Sequence, residues 1–177
     1  MSTILFGFPA CGKTTVGKRV AQQLDKTFVD LDYVIEAIYY DPIAGRSMEL
    51  TCRQIAREHG EEYFRALERE AIKKLRLIRH GIIATGGGAV LDFYNHQELK
   101  KRGQLFYLLA DKQQIKQRLF AQDSLPTYLD KGNPEDAFEE MYRTRQPVYE
   151  RVADVVVDTR NRSLEQIAKE ISDLLQK

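Results

Sequence analysis

Five short runs rich in β-branched and aromatic residues, "TILFGF", "TFVDLD", "GIIATG", "QLFYLLA" and "DVVVDT", recur between longer stretches of helical periodicity. Such alternation predicts an α/β fold in which a parallel sheet carries helices on both faces. Several helix starts are marked by their own caps. Asp111 with Gln114 and Ser163 with Gln166 have the spacing of a capping box, and Asn133 stands directly before Pro134, a cap beside a first-turn proline. At 177 residues and 43% hydrophobic, the chain is long enough for one domain with a buried core, and residues 1–177 are expected to form one.

Two regions break the alternation. Residues 33–80 run largely helical, with "YYDPIAGRS" as a loop and "EEYFRALEREAIKKLRLIRH" as one long amphipathic helix, the pattern of an acceptor-side insertion. Residues 119–133 include "QDSLPTYLDKGNP", rich in turn formers between two helices, and read as a flap. Loops at the carboxyl ends of parallel strands are where such sheets bind ligands.

The charge balance, 27 Lys and Arg against 26 Asp and Glu, gives no reason to expect a nucleic-acid partner. No stretch has the length of a membrane span. The two cysteines, Cys11 and Cys52, have no metal-ligand spacing, so a reduced, cytoplasmic setting is expected.

The first strand runs into "GFPACGKTT": Gly7, four residues, then Gly12, Lys13 and Thr14, with Thr15 continuing into a helix. Glycines let the backbone turn so that amide N–H groups face phosphates; Lys13 can reach the outer phosphate oxygens and Thr14 can ligate magnesium. The pattern predicts a nucleotide site, which GTPases, ATPases and small-molecule kinases share. No guanine-reading "NKxD" segment is found, and the flap and insertion suit a kinase that must keep water from the transferring phosphate.

Four further clusters bear on the acceptor. In "FVDLDYVIE", Asp30 and Asp32 end the second strand, where alternation would put both carboxylates on one side; the plainer reading is a helix cap. In "GEEYFRALE", Arg65 and Glu68 are three apart on a helix and able to pair, as many surface residues do. "ATGGGAV" sets Gly86, Gly87 and Gly88 after the third strand, either a turn or a place where backbone approaches a ligand. "RTRQPVYERVAD" places Arg143 and Arg145 on a helix, either a basic face or a fork for a carboxylate.

Taken together and in this order, these motifs resemble the shikimate kinase family, from Gly7 to about Thr159. The resemblance implies a P-loop NTPase fold of nucleoside-monophosphate-kinase type: three layers, α/β/α, around a five-stranded parallel sheet. It implies ATP as co-substrate, Mg2+, and phosphorylation of the 3-hydroxyl of shikimate in the aromatic amino-acid pathway by a monomer. Asp32 would meet the ring hydroxyls; Arg65 and Arg145 would clamp the carboxylate, with the backbone of Gly86, Gly87 and Gly88 completing the pocket and Glu68 holding Arg65. Gly7, Ala10, Cys11, Gly12, Lys13, Thr14 and Thr15 would cradle the phosphates, with Thr14 on the metal and Asp30 helping through water. Arg118 would lie against the adenine, bounded on its other side by the loop around Arg160 and Asn161. A gluconate-type kinase and a catalytically weak module that binds ATP or shikimate are the alternatives.

The chain departs from the family pattern at three places. Ala10 replaces a frequent glycine, at little cost unless the backbone there takes a positive φ. Cys11 lies near a helix N-terminus, where a thiol's pKa can fall, so thiol reagents are expected to inactivate with ATP protecting. The flap has Leu125-Pro126-Thr127 where the family has Arg-Pro-Leu, so Lys131 or Arg143 is expected to supply the missing cation. The stretch between Asp32 and Arg65 is also longer than is usual, consistent with an inserted surface loop.

Overall fold

The computed structural model describes residues 1–40, 50–122, 125–130 and 132–176. Five strands form the sheet: β1 (Ser2–Phe6), β2 (Phe28–Asp30), β3 (Ile82–Ala84), β4 (Gly103–Leu109) and β5 (Val155–Asp158). Their order is β2-β3-β1-β4-β5 and every pairing is parallel, with Thr3 opposite Ile82 and Ile4 opposite Leu105. Each expected β-rich run overlaps one of these strands, with β1 and β4 starting one residue before the quoted run. Every residue of β1 is buried, and β4 is nearly so, because a parallel sheet is covered on both faces rather than alternating in and out.

The helices are α1 (Lys13–Leu24), α2 (Leu31–Tyr39), α3 (Cys52–His59), α4 (Glu61–Lys74), α5 (Phe93–Lys100), α6 (Lys112–Phe120), α7 (Pro134–Val152) and α8 (Leu164–Leu175). Helices α1 and α8 pack on each other, α1 against β1, β2 and β3 and α8 against β5, while α5 and α7 pack on β4. Side-chain caps occur where the sequence placed them: Asp111 accepts from the Gln114 amide, Asn133 from Glu135, and Ser163 closes a full capping box with Gln166. A further box at Thr51 and Gln54 starts α3.

The described residues between 33 and 80 are largely helical, with two differences from the sequence expectation. The loop expected at "YYDPIAGRS" lies largely outside the described residues. The helix expected to run to His80 stops at Lys74, followed by a single 3-10 turn at Leu75–Leu77, and His80 takes a φ of 59°. The flap likewise begins only after α6 ends at Phe120. Among the described residues, no helix is long and apolar enough to cross a membrane.

Candidate active site

Leaving β1, the chain wraps into the glycine loop and enters α1 at Lys13. Gly12 has a φ of 100°, in the left-handed region that glycine occupies without penalty. Ala10, with a φ of 60°, occupies that region with a Cβ. The condition for a harmless replacement is therefore not met, and this alanine carries backbone strain on the order of 1 kcal/mol. The Lys13 ammonium folds back over the loop, donating to the carbonyls of Gly7 at 3.2 Å and Phe8 at 2.7 Å. Gly7 stands behind the cleft and serves through that carbonyl. Cys11 is 4% exposed, packed in the core close to Gly7 and Tyr107. The expected reactive thiol is thus withdrawn from solvent, because the loop turns its side chain inward.

At the end of β2, Asp30 does two things. Its Oδ2 accepts from the Thr14 hydroxyl at 2.7 Å, and its Oδ1 accepts from the Asp32 backbone N–H at 3.1 Å, capping α2. Asp32 therefore lies in the first turn of a helix rather than on the strand, and the cap, not strand alternation, brings the two carboxylates together. Burial, and next the neighbouring Asp30 carboxylate, push the Asp32 carboxyl up to about 6, against the pull of Lys13. Behind it, the Cys52 thiol donates to the Asp32 carbonyl at 3.4 Å; burial, with Asp32 and Glu36, pushes that thiol far above its ordinary range.

From α4, Arg65 donates to Glu68 at 2.8 Å and to Glu61 at 2.6 and 2.9 Å. Glu68 is only 1% exposed and also accepts from Asn95 at 3.0 Å, so this is a buried orienting contact rather than a surface pair. The glycine run after β3 is what allows the approach. A Cβ at Gly88 would lie 2.7 Å from an Arg65 guanidinium nitrogen, and one at Gly86 would lie 3.2 Å from Asp32 Oδ1. Tyr149, four residues after Arg145 on α7, donates its phenol to the Gly87 carbonyl and packs edge-on against Phe8 at 4.9 Å. Arg145 itself lies over the ring of Tyr128 from the flap, 4.6 Å from its centre. Tyr149 is a further residue of the site, and its i, i+4 spacing from Arg145, which sets both on one helix face, is the sequence signal for it.

These groups line one cleft of about 890 Å³, which holds Lys13, Thr14, Asp30, Asp32, Arg65, the three glycines, Arg118 and Arg145. Arg118 crosses from α6 to donate to the Ala10 carbonyl at 3.2 Å.

A family model described as shikimate kinase matches residues 9–176 of this chain. The chain belongs to the shikimate kinase family. Among its relatives, the shikimate kinase of Thermodesulfovibrio yellowstonii is 39% identical over 95% of this chain and 91% of that protein. That of Caldanaerobacter subterraneus subsp. tengcongensis is 37% identical over 95% and 92%. A solved shikimate kinase from Acinetobacter baumannii, in complex with shikimate, superposes with a TM-score of 0.85 at 30% identity, covering 99% of this chain and 92% of that one. The Aquifex aeolicus shikimate kinase superposes at 0.80 with 28% identity, covering 99% and 96%.

Within the shikimate kinase frame, two expected residues fall elsewhere. Arg160 is turned onto Asp158, at 2.6 and 2.9 Å, and does not line the cleft; Asn161 and Arg162 do, because the backbone turns over at Asn161 with a φ of 55°. Arg143 is 77% exposed on the outer face of α7, paired with Glu140, two residues and so roughly 200° of helix away from Arg145. Lys131 lies outside the described residues. Leu125 packs, half-buried, against the core.

Proposed function

We propose that this ATP-dependent kinase transfers the terminal phosphoryl group of ATP to the 3-hydroxyl of shikimate. One observation carries the reading: a single cleft joins the phosphate loop to a carboxylate-type pocket of two arginines on a glycine backbone, with Asp32 linking them. Asp32 is tied through its amide to Asp30 on the phosphate side, and its carboxyl abuts Gly86 on the acceptor side. Arg65 and Arg145 fork onto the planar carboxylate, and Glu61 and Glu68 hold the Arg65 guanidinium in one orientation. Asp32 orients the hydroxyl. The hydroxyl oxygen bonds to the γ-phosphorus as the bond to the departing ADP oxygen breaks, and the hydroxyl proton passes to Asp32. Lys13 swings from its loop carbonyls to the outer phosphates.

Thr14 and Asp30 present a hydroxyl and a carboxylate in contact, hard-oxygen donors of the type magnesium takes with nucleotide phosphates and water. Bound there, the metal would neutralise phosphate charge. Arg118 and the Asn161 turn would bound the adenine. We read the chain as one kinase domain, a cytoplasmic monomer serving aromatic amino-acid synthesis.

Following ADP release with ATP and magnesium, shikimate, gluconate and nucleoside monophosphates are offered in turn. Turnover should depend on shikimate, and turnover with gluconate alone would overturn the proposal. Arg65→Ala should raise the shikimate KM about tenfold or more while the ATP KM stays within about threefold. Equal changes in both would remove the carboxylate role.

A further inference from the structure

Phosphoryl transfer spreads negative charge over three equatorial oxygens, and a cation facing them commonly accelerates it by orders of magnitude. The flap offers none at Leu125, which packs inward. Among the described residues, the positive side chains lining the cleft are Lys13, Arg53, Arg65, Arg118, Arg145 and Arg162. Arg162 is held by the Asp158 carbonyl at 2.8 Å and by Glu170, on the far side of the base end. Arg118 is on the Ala10 carbonyl. Arg65 and Arg145 serve the glycine pocket. Arg53 is the cation to which no role has been given.

Its position is telling. Arg53 sits in the first turn of α3, next to Cys52, whose thiol touches the Asp32 backbone. Its guanidinium reaches across the cleft to donate to Gln122, just past the end of α6, one turn beyond Arg118. One side chain thus runs from the acceptor wall to the nucleotide wall at the mouth of the flap. One turn on, Arg57 bonds Asp130 of the flap at 2.8 Å, so two arginines of α3 contact the segment between α6 and α7.

We infer that Arg53, delivered from α3 rather than from the flap, is the catalytic cation that meets the transferred phosphoryl group. It exchanges Gln122 for the γ-phosphate oxygens as the charge develops. The inference rests on the kinase reading above, and Arg53 alters neither the bonds made nor the path of the proton.

The test compares Arg53→Gln, Arg53→Lys and the double variant Arg53→Gln with Leu125→Arg, alongside the parent enzyme. Arg53→Gln should lower kcat about 100-fold, with the shikimate and ATP dissociation constants changed less than about threefold. Arg53→Lys should recover part of that loss, and the arginine at position 125 should restore kcat at least about tenfold. Binding of ADP with aluminium fluoride and shikimate should weaken in Arg53→Gln by the same factor as kcat, while ADP alone binds as before. A kcat for Arg53→Gln within threefold of an active parent overturns the inference alone, as does a loss that neither the lysine nor the flap arginine relieves. Absence of shikimate-dependent turnover in the parent itself would overturn the kinase reading instead.

Discussion

A single methyl group at position 10 shows how much one residue's backbone can decide. At a φ of 60°, Ala10 occupies a region that costs an L-residue on the order of 1 kcal/mol. Ala10→Gly removes that cost but adds freedom to the unfolded chain, so the net expectation is a gain of up to about 1 kcal/mol, read as a higher denaturant midpoint at unchanged slope. Asp32 is the other residue whose setting can be titrated. Its folded pKa of about 6 exceeds the ordinary 3.8, so the folded state binds its proton more tightly than the unfolded chain. The stabilisation this gives is present below about pH 4 and is lost as pH rises through about 6. Asp32→Asn should therefore match the parent in stability below pH 4 and exceed it above pH 6 by on the order of 1–3 kcal/mol, measured by denaturation across pH. In catalysis the same titration acts in reverse. Since the ionised form takes the hydroxyl proton, kcat/KM for shikimate should fall below about pH 6, and a profile flat to pH 5 would remove Asp32 from that role.

At the level of elements, the acceptor pocket depends on α4 being held by what it packs against. Glu68 faces inward from α4, accepting from Arg65 of its own helix and Asn95 of α5, so the arginine's aim is tied to the packing of two helices. Glu68→Ala leaves Asn95 and the guanidinium short of a buried acceptor and should cost about 1–3 kcal/mol of stability by chemical denaturation. The same variant should raise the shikimate KM about fivefold or more with little change for ATP, since Arg65 reports only on the acceptor. Helix α7 does the corresponding work from the other side: Arg145 and Tyr149 share a face, one lying on Tyr128 of the flap and the other fastening the Gly87 carbonyl.

Across the whole molecule, the two ends of one cleft should be separable by ligand. ATP or shikimate at about 100 times its dissociation constant adds about 2.7 kcal/mol to stability, a rise in Tm of roughly 5–10 °C for a chain this size. Arg65→Ala should cut the shikimate shift to about half or less and keep the ATP shift in thermal melts; loss of both would mean that the cleft collapses as a unit. How this cleft arises divides plainly between sequence and tertiary structure. The five strands, most caps, the phosphate loop and the Arg65–Glu68 pair were legible in the sequence because each rests on interactions within a few residues. So was membership of the shikimate kinase family, carried by five motifs in order. Other features depended on chain segments far apart in sequence. Cys11 is buried because the loop folds inward onto Tyr107, and of two arginines that helical spacing sets roughly 200° apart, packing turns Arg145 to the cleft and leaves Arg143 in solvent. Arg53 stood unremarked in the sequence, since only the packing of α3 beside the end of α6 turns a helix-surface arginine into a cation at the mouth of the site. Local propensity and motif spacing determined the elements and the family; which side chains share the cleft was decided by long-range packing, where contacts between distant residues set direction as well as distance.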